Sequence, residues 1–130
     1  MALPLATQKI GAYAFLVGIA IAILAGIAGG LVTAYAGAIT LILVILGLIV
    51  GYLNISDKEV LIFVVVSIGL MVAGSANLTS IDMLVPGMGT VLQAILANIV
   101  VFIAPAVIVV GLKTVYALAK TPIIVAKGKV

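Results

Sequence analysis

The chain has no cysteine and no histidine among its 130 residues, and its only basic residues are six lysines. Without cysteine there is no disulfide and no thiol nucleophile. Without histidine the usual metal ligand and the usual proton carrier near neutral pH are both missing. Three acidic residues complete the charge, so 7% of the chain is charged against 67% hydrophobic. A water-soluble chain of this length needs a polar surface that so few charges do not supply, and the bilayer is the expected solvent. The net charge of +3 does not point to nucleic acid. Arginine is absent and the lysines sit at the ends of apolar runs, where they meet anionic headgroups.

Four apolar runs fill the rest. They predict an all-α membrane protein, a four-transmembrane-helix bundle forming one integral membrane domain over residues 1–130. The spans run from about residue 10 to 32, 38 to 53, 60 to 76 and 90 to 112, followed by a tail over 113–130. The first run is about 34 Å long as helix, too long for the core of a signal peptide. Ser56 and Glu59 form a Ser-x-x-Glu capping box at the start of the third span, and Asn54 is a candidate end for the second. Ser80 is a candidate cap for a short helix through Ile81–Val85, lying flat at the membrane surface before Pro86-Gly87 turns the chain back. Pro105 falls inside the fourth span, where it deletes one backbone hydrogen bond and should bend the helix.

Orientation follows from the lysines. Lys9, Lys58, Lys113, Lys120, Lys127 and Lys129 all fall on the side that carries both termini and the middle loop, and the two loops opposite hold none. The positive-inside bias of short loops therefore predicts a multi-pass protein of the cell (plasma) membrane with both termini cytoplasmic. Tyr13, Tyr52 and Tyr116 fall at the inner border and Tyr35 at the outer one, where an amphipathic ring is at home.

Small residues give the strongest local pattern. Ala14, Gly18, Ala22, Gly26 and Gly30 recur every four residues and share one helix face, and Gly47 and Gly51 repeat the motif in the second span. Lipid offers no hydrophobic drive between helices, so close backbone approach through such a face is the main source of packing energy. The spacing leaves open whether these faces pack within one chain or between subunits. A fainter echo at 48 residues pairs Phe15 with Phe63, Ala25-Gly26 with Ala73-Gly74, and Ala28 with Ala76. It suggests two helical hairpins in parallel orientation.

Chemistry-bearing groups are few. Ser67 and Asn98 are the polar side chains at depth, at similar heights in antiparallel neighbours. A hydrogen bond between the third and fourth spans, or between copies of Asn98, is expected. Two modest groups are too few to line a water path alone. Gln93 lies nearer the outer end and is expected to reach the interface. Asn54-Ile55-Ser56 and Asn77-Leu78-Thr79 match the N-glycosylation sequon, and coincidence explains both. A glycine-rich chain with four spans resembles the proteolipid rotor subunits of ion-driven ATPases. Those need a mid-membrane carboxylate, whereas Asp57, Glu59 and Asp82 all lie in loops, and the comparison fails there.

The strings Ala22-Ile-Leu-Ala-Gly-Ile-Ala-Gly-Gly-Leu31, Leu46-Gly-Leu-Ile-Val-Gly-Tyr-Leu-Asn-Ile55 with Lys58-Glu59, and Ala104-Pro-Ala-Val-Ile-Val-Val-Gly-Leu-Lys113 carry a further likeness. They resemble small four-span membrane proteins of unassigned function from archaea and from little-cultured, small-genome bacteria. The resemblance implies a prokaryotic cell-membrane protein and brings no activity and no site residues with it.

The expected function is structural: an integral membrane assembly protein, packed through small residues and self-associating as a homo-oligomer in lipid. The alternative is a small channel or transport-accessory subunit with a wettable path near Asn98 and Ser67. General acid–base and nucleophilic catalysis lack players, so no enzyme is expected. No cofactor, catalytic or metal residue, nucleic-acid partner or small-molecule substrate is expected either.

Overall fold

A computed structural model describes residues 5–53 and 59–120. Those residues are helical, with no strand among them. Helix α1 spans Leu5–Ala28, α2 Ala36–Leu53, α3 Val60–Gly74 and α4 Met88–Lys120. Two 3-10 segments, Gly29–Tyr35 and Leu78–Met83, make the connections α1–α2 and α3–α4. Three helical stretches are long and apolar enough to cross a membrane: Lys9–Leu31, Thr33–Leu53 and Met88–Lys120. Helix α3 has 15 residues, about 22 Å, and falls short of the 20 or so that a span ordinarily needs.

The fourth helix organises the others. Helices α1 and α2 pack on each other and both pack on α4, while α3 contacts α4 in the main. Gly18 and Gly26 of α1 face Phe102 and Ile95 of α4, so the two helices are antiparallel. Gly47 and Gly51 of α2 face Phe102 and Ala106, so α2 and α4 run in the same direction. Leu43, Val50, Phe102 and Val110 are buried almost completely at this junction. The outer faces carry Leu24, Leu61, Ile108 and many other exposed aliphatic side chains, the composition a lipid-facing wall requires.

Two expectations need correction. Helix α1 stops at Ala28 because Gly29 takes a left-handed conformation, φ +52°, which ends helices readily when no Cβ opposes it. Gly30 consequently leaves the α1 face. The connection between α3 and α4 holds a 3-10 segment over Leu78–Met83 rather than a helix through Ile81–Val85. It begins after Asn77 with no side-chain cap, so Ser80 does not serve as one. The fourth helix runs from Met88 to Lys120 with Pro105 inside it, so helix continues past the expected span as far as the start of the tail.

Glu59 occupies the N-cap position of α3 without a side-chain cap bond, and its carbonyl accepts from the Phe63 N–H at 2.8 Å. Ser56, the other half of the expected capping box, lies outside the described residues, as do Asn54, Asp57, Lys58 and the tail from residue 121.

Candidate helix-packing and polar site

The site worth describing is the seam where α1 and α2 meet α4. Its geometry follows from residues that have no side chain to speak of. The Phe102 ring, 1% exposed, fills the notch at Gly18, where any Cβ would overlap it. Phe15 leans on the same ring at a centroid distance of 5.9 Å and 42° between planes, an arrangement aromatic pairs favour. One α1 turn on, Ala22 is fully buried. A further turn on, a Cβ at Gly26 would sit 2.7 Å from the Ile95 backbone nitrogen. Ala14, Gly18, Ala22 and Gly26 therefore form one continuous contact with α4 or its neighbours, all four buried. Gly30, the fifth rung by spacing, is exposed and has nothing within 4 Å of a would-be Cβ.

Helix α2 meets α4 through Gly47 and Gly51. At Gly47 a Cβ would collide with the Phe102 carbonyl oxygen and lie 3.3 Å from the Pro105 Cβ; at Gly51 it would lie 2.8 Å from the Ala106 Cα. The paired registers 47 with 102 and 51 with 106 keep two backbones in contact over a full turn. Each atom pair at such a contact gains only about 0.1–0.2 kcal/mol, so the seam draws its stability from the many pairs that glycine admits. Pro105 is buried at this seam, and having no N–H it leaves the Val101 carbonyl without its α-helical donor.

The polar side chains at depth, Asn98 and Ser67, are both engaged with backbone. Asn98 donates through Nδ2 to the Ala22 carbonyl at 3.3 Å, and the small rung at Ala22 is what lets the amide approach. Ser67, 1% exposed, donates back to the Phe63 carbonyl of its own helix at 2.7 Å. Ser67 and Asn98 thus do not bond each other, contrary to expectation. An apolar-all-round helix leaves its rotation unread from sequence, and rotation decides which neighbour a side chain meets. Among the described residues, no buried side-chain nitrogen or oxygen lacks a partner.

Three contacts escaped the sequence reading. Gln93 donates to the Gly74 carbonyl at 2.7 Å and accepts from the Leu78 N–H at 3.3 Å, clamping the end of α3 to the following 3-10 segment. It is therefore an interhelical tie rather than a residue reaching out to the interface. Asp82 accepts from the Thr90 N–H at 3.1 Å and from the Thr90 hydroxyl, capping the first turn of α4 from eight residues upstream. The Thr90 hydroxyl, ahead of the N–H groups of Thr90, Gly89 and Gly87, holds the Asp82 carboxyl below the ordinary aspartate range against a smaller opposing effect of burial. Gly87, at φ +86°, makes the turn that brings the two together. At the other end, Lys113 of α4 donates to the Tyr52 and Gly51 carbonyls at 3.2 and 3.5 Å, with its ammonium 5.3 Å from the Tyr52 ring centroid. It closes the open end of α2 as a cation at a helix C-terminus should.

Chemically the seam can bind helices together and does little else. Among the described residues no group of histidine, cysteine, aspartate and glutamate is placed to hold a metal ion. No protein-family model, curated protein sequence or solved structure matches the chain. Its function is accordingly read from this geometry alone.

Proposed function

We propose that the chain is a structural or assembly protein of the cell membrane that crosses the bilayer four times, keeps both termini in the cytoplasm and self-associates in lipid. The observation that carries this reading is the fate of the polar groups: Asn98, Ser67 and Gln93 are each bonded to backbone of their own chain, which leaves their hydrogen-bonding capacity directed at helix packing. Phe102, Leu43 and Val50 fill the space at the centre of the α1, α2 and α4 junction, so the interior is a packed solid of the kind that excludes water.

Helix α3 crosses in this reading despite its length. Ser75, Ala76 and the apolar 3-10 segment extend it on one side, and the bilayer accommodates a short span by local thinning at modest cost. Self-association is assigned to the outer face of α3. Leu61, Ile62, Val65, Ile68 and Val72 are exposed there, and Gly69 has open space where a Cβ would be. A small residue amid branched ones allows a second helix to approach closely.

The test is the state of association in native-like nanodiscs and in whole membranes after cross-linking. Assemblies larger than one chain, weakened by Gly69→Leu, are the expected result. A monomer at native abundance in both settings contradicts the proposal. A closed ring that passes selective ionic current would replace it with a channel.

A further inference from the structure

Between the first turns of α3 and the last third of α4 lies an open groove of about 530 Å³. Its walls are Val60, Leu61 and Val64 on one side, and Val110, Lys113 and Thr114 on the other. The surface is mainly apolar, and the groove runs from aliphatic side chains at Val64 and Val110 to a cation at Lys113. Glu59 precedes the α3 wall but does not line the groove.

Two features of Lys113 matter. Its ammonium has three donors, and among the described residues it meets the carbonyls of Gly51 and Tyr52 and the Tyr52 ring. It also lies at the level where the membrane's polar zone begins. Helix α4 has 33 residues, about 50 Å, against a hydrocarbon core of about 30 Å. A span that starts near Met88 therefore reaches the opposite headgroup zone near Lys113, and Tyr52 and Tyr116 stand exposed beside it as interfacial rings do. A groove that is apolar toward the bilayer centre and cationic at the headgroup level has the polarity of one molecule: a phospholipid with an anionic head.

We propose that this groove is a binding site for an anionic phospholipid of the leaflet on the lysine side, with one acyl chain laid along Val60, Leu61 and Val64 and the phosphate beside the Lys113 ammonium. Charge complementarity selects the occupant. The lipid-accessible groove offers apolar surface to any acyl chain, but only an anionic head gains from the fixed ammonium, by about fivefold in affinity for one lysine near the surface. The lipid would also bridge α3, which is held mainly by α4, to the end of α2 that Lys113 closes. The proposal rests on the membrane reading above; Leu61 is shared with the face assigned to self-association, whereas Val60, Val64 and Lys113 are not.

The experiment is native mass spectrometry of the full chain, released from detergent after incubation with equal amounts of phosphatidylglycerol and phosphatidylcholine of matched chain length. One phosphatidylglycerol retained per chain, about fivefold over phosphatidylcholine, is expected. The preference should vanish in Lys113→Gln, and all retention should fall in Val64→Trp, which fills the groove while leaving the lysine. Lys120→Gln should retain the preference, because Lys120 stands over the Tyr116 ring at 5.0 Å and does not line the groove. Equal retention of both lipids by the unaltered chain, or an unchanged preference in Lys113→Gln, overturns the proposal. Self-association is read separately, in nanodiscs and whole membranes: a monomer there with the lipid preference kept removes self-association and leaves the lipid site, and an oligomer without the preference does the reverse.

Discussion

The Phe102 ring occupies the space in which a Cβ of Gly18 would have to lie. Neither residue is distinctive alone. Together they make α1 and α4 a lock-and-notch pair, and the same phenylalanine presents its carbonyl to Gly47 on the other side. Any side chain at Gly18 must displace either a fully buried ring or a helix. Gly18→Leu is therefore expected to destabilise the fold by about 1–3 kcal/mol, the usual cost of overpacking. Thermal unfolding in detergent, followed by loss of monodisperse elution, measures it.

The α1 ladder should divide at Gly29. Gly26→Leu puts a branched side chain against the Ile95 backbone and should cost about 1–3 kcal/mol. Gly30→Leu enters open space and should leave stability within about 0.5 kcal/mol of the parent. Equal effects of the two substitutions would mean that the α1 helix continues past Gly29.

Asn98→Leu removes the amide that bonds the Ala22 carbonyl. Hydrogen bonds within membranes average well under their vacuum strength, so a loss of about 1 kcal/mol is expected, with no change in fold. In planar bilayers neither the parent chain nor Asn98→Asp should give selective single-channel current. Current whose selectivity changed with that substitution would promote the channel reading.

Asp82 gives the chain one acid-sensitive joint. Its carboxyl is held below the ordinary aspartate range by Thr90. A depressed folded-state pKa means that its stabilisation is fully present above the unfolded value, near pH 4. It is lost as pH falls through the lower folded value. Asp82→Asn keeps the shape and one acceptor but loses the charge at the α4 N-terminus. Melting temperatures of parent and Asp82→Asn should differ at pH 7 and draw together as pH falls through the lowered folded-state value. A gap that stayed unchanged at every acid pH at which the parent remains folded would assign the effect to something other than the carboxylate.

How far these features could be read from the sequence depends on whether they are local. The all-helical nature and the three membrane-length helices are carried by uninterrupted apolar runs, which satisfy their backbone in lipid as helices and lack the alternation a closed barrel needs. The rungs at Gly18, Ala22 and Gly26 were legible because a period of four places small residues on one face. Gly30 was not, since Gly29 and Gly30 both offer a helix end and only the backbone reveals which one takes it. The partners were illegible throughout. Nothing at Phe102 marks it as the counterpart of Gly18, 84 positions away in the chain. Nothing at Lys113 marks the carbonyls of α2. The Asp82–Thr90 cap spans eight residues across the turn at Gly87, outside the spacing of any local capping motif. Apolar helices with no polar face leave rotation unspecified, and rotation is what set Asn98 against Ala22 rather than Ser67.

The most direct test of the membrane account is the sidedness of three single cysteines in a chain that has none of its own. Asp57→Cys, Ser80→Cys and Lys127→Cys are placed one at a time and exposed in intact cells to a membrane-impermeant thiol reagent. Four crossings with cytoplasmic termini predict that Ser80→Cys labels from outside and that the other two label only after the membrane is opened. Labelling of Asp57→Cys in intact cells would contradict the four-crossing arrangement, and labelling of Lys127→Cys would contradict a cytoplasmic C-terminus.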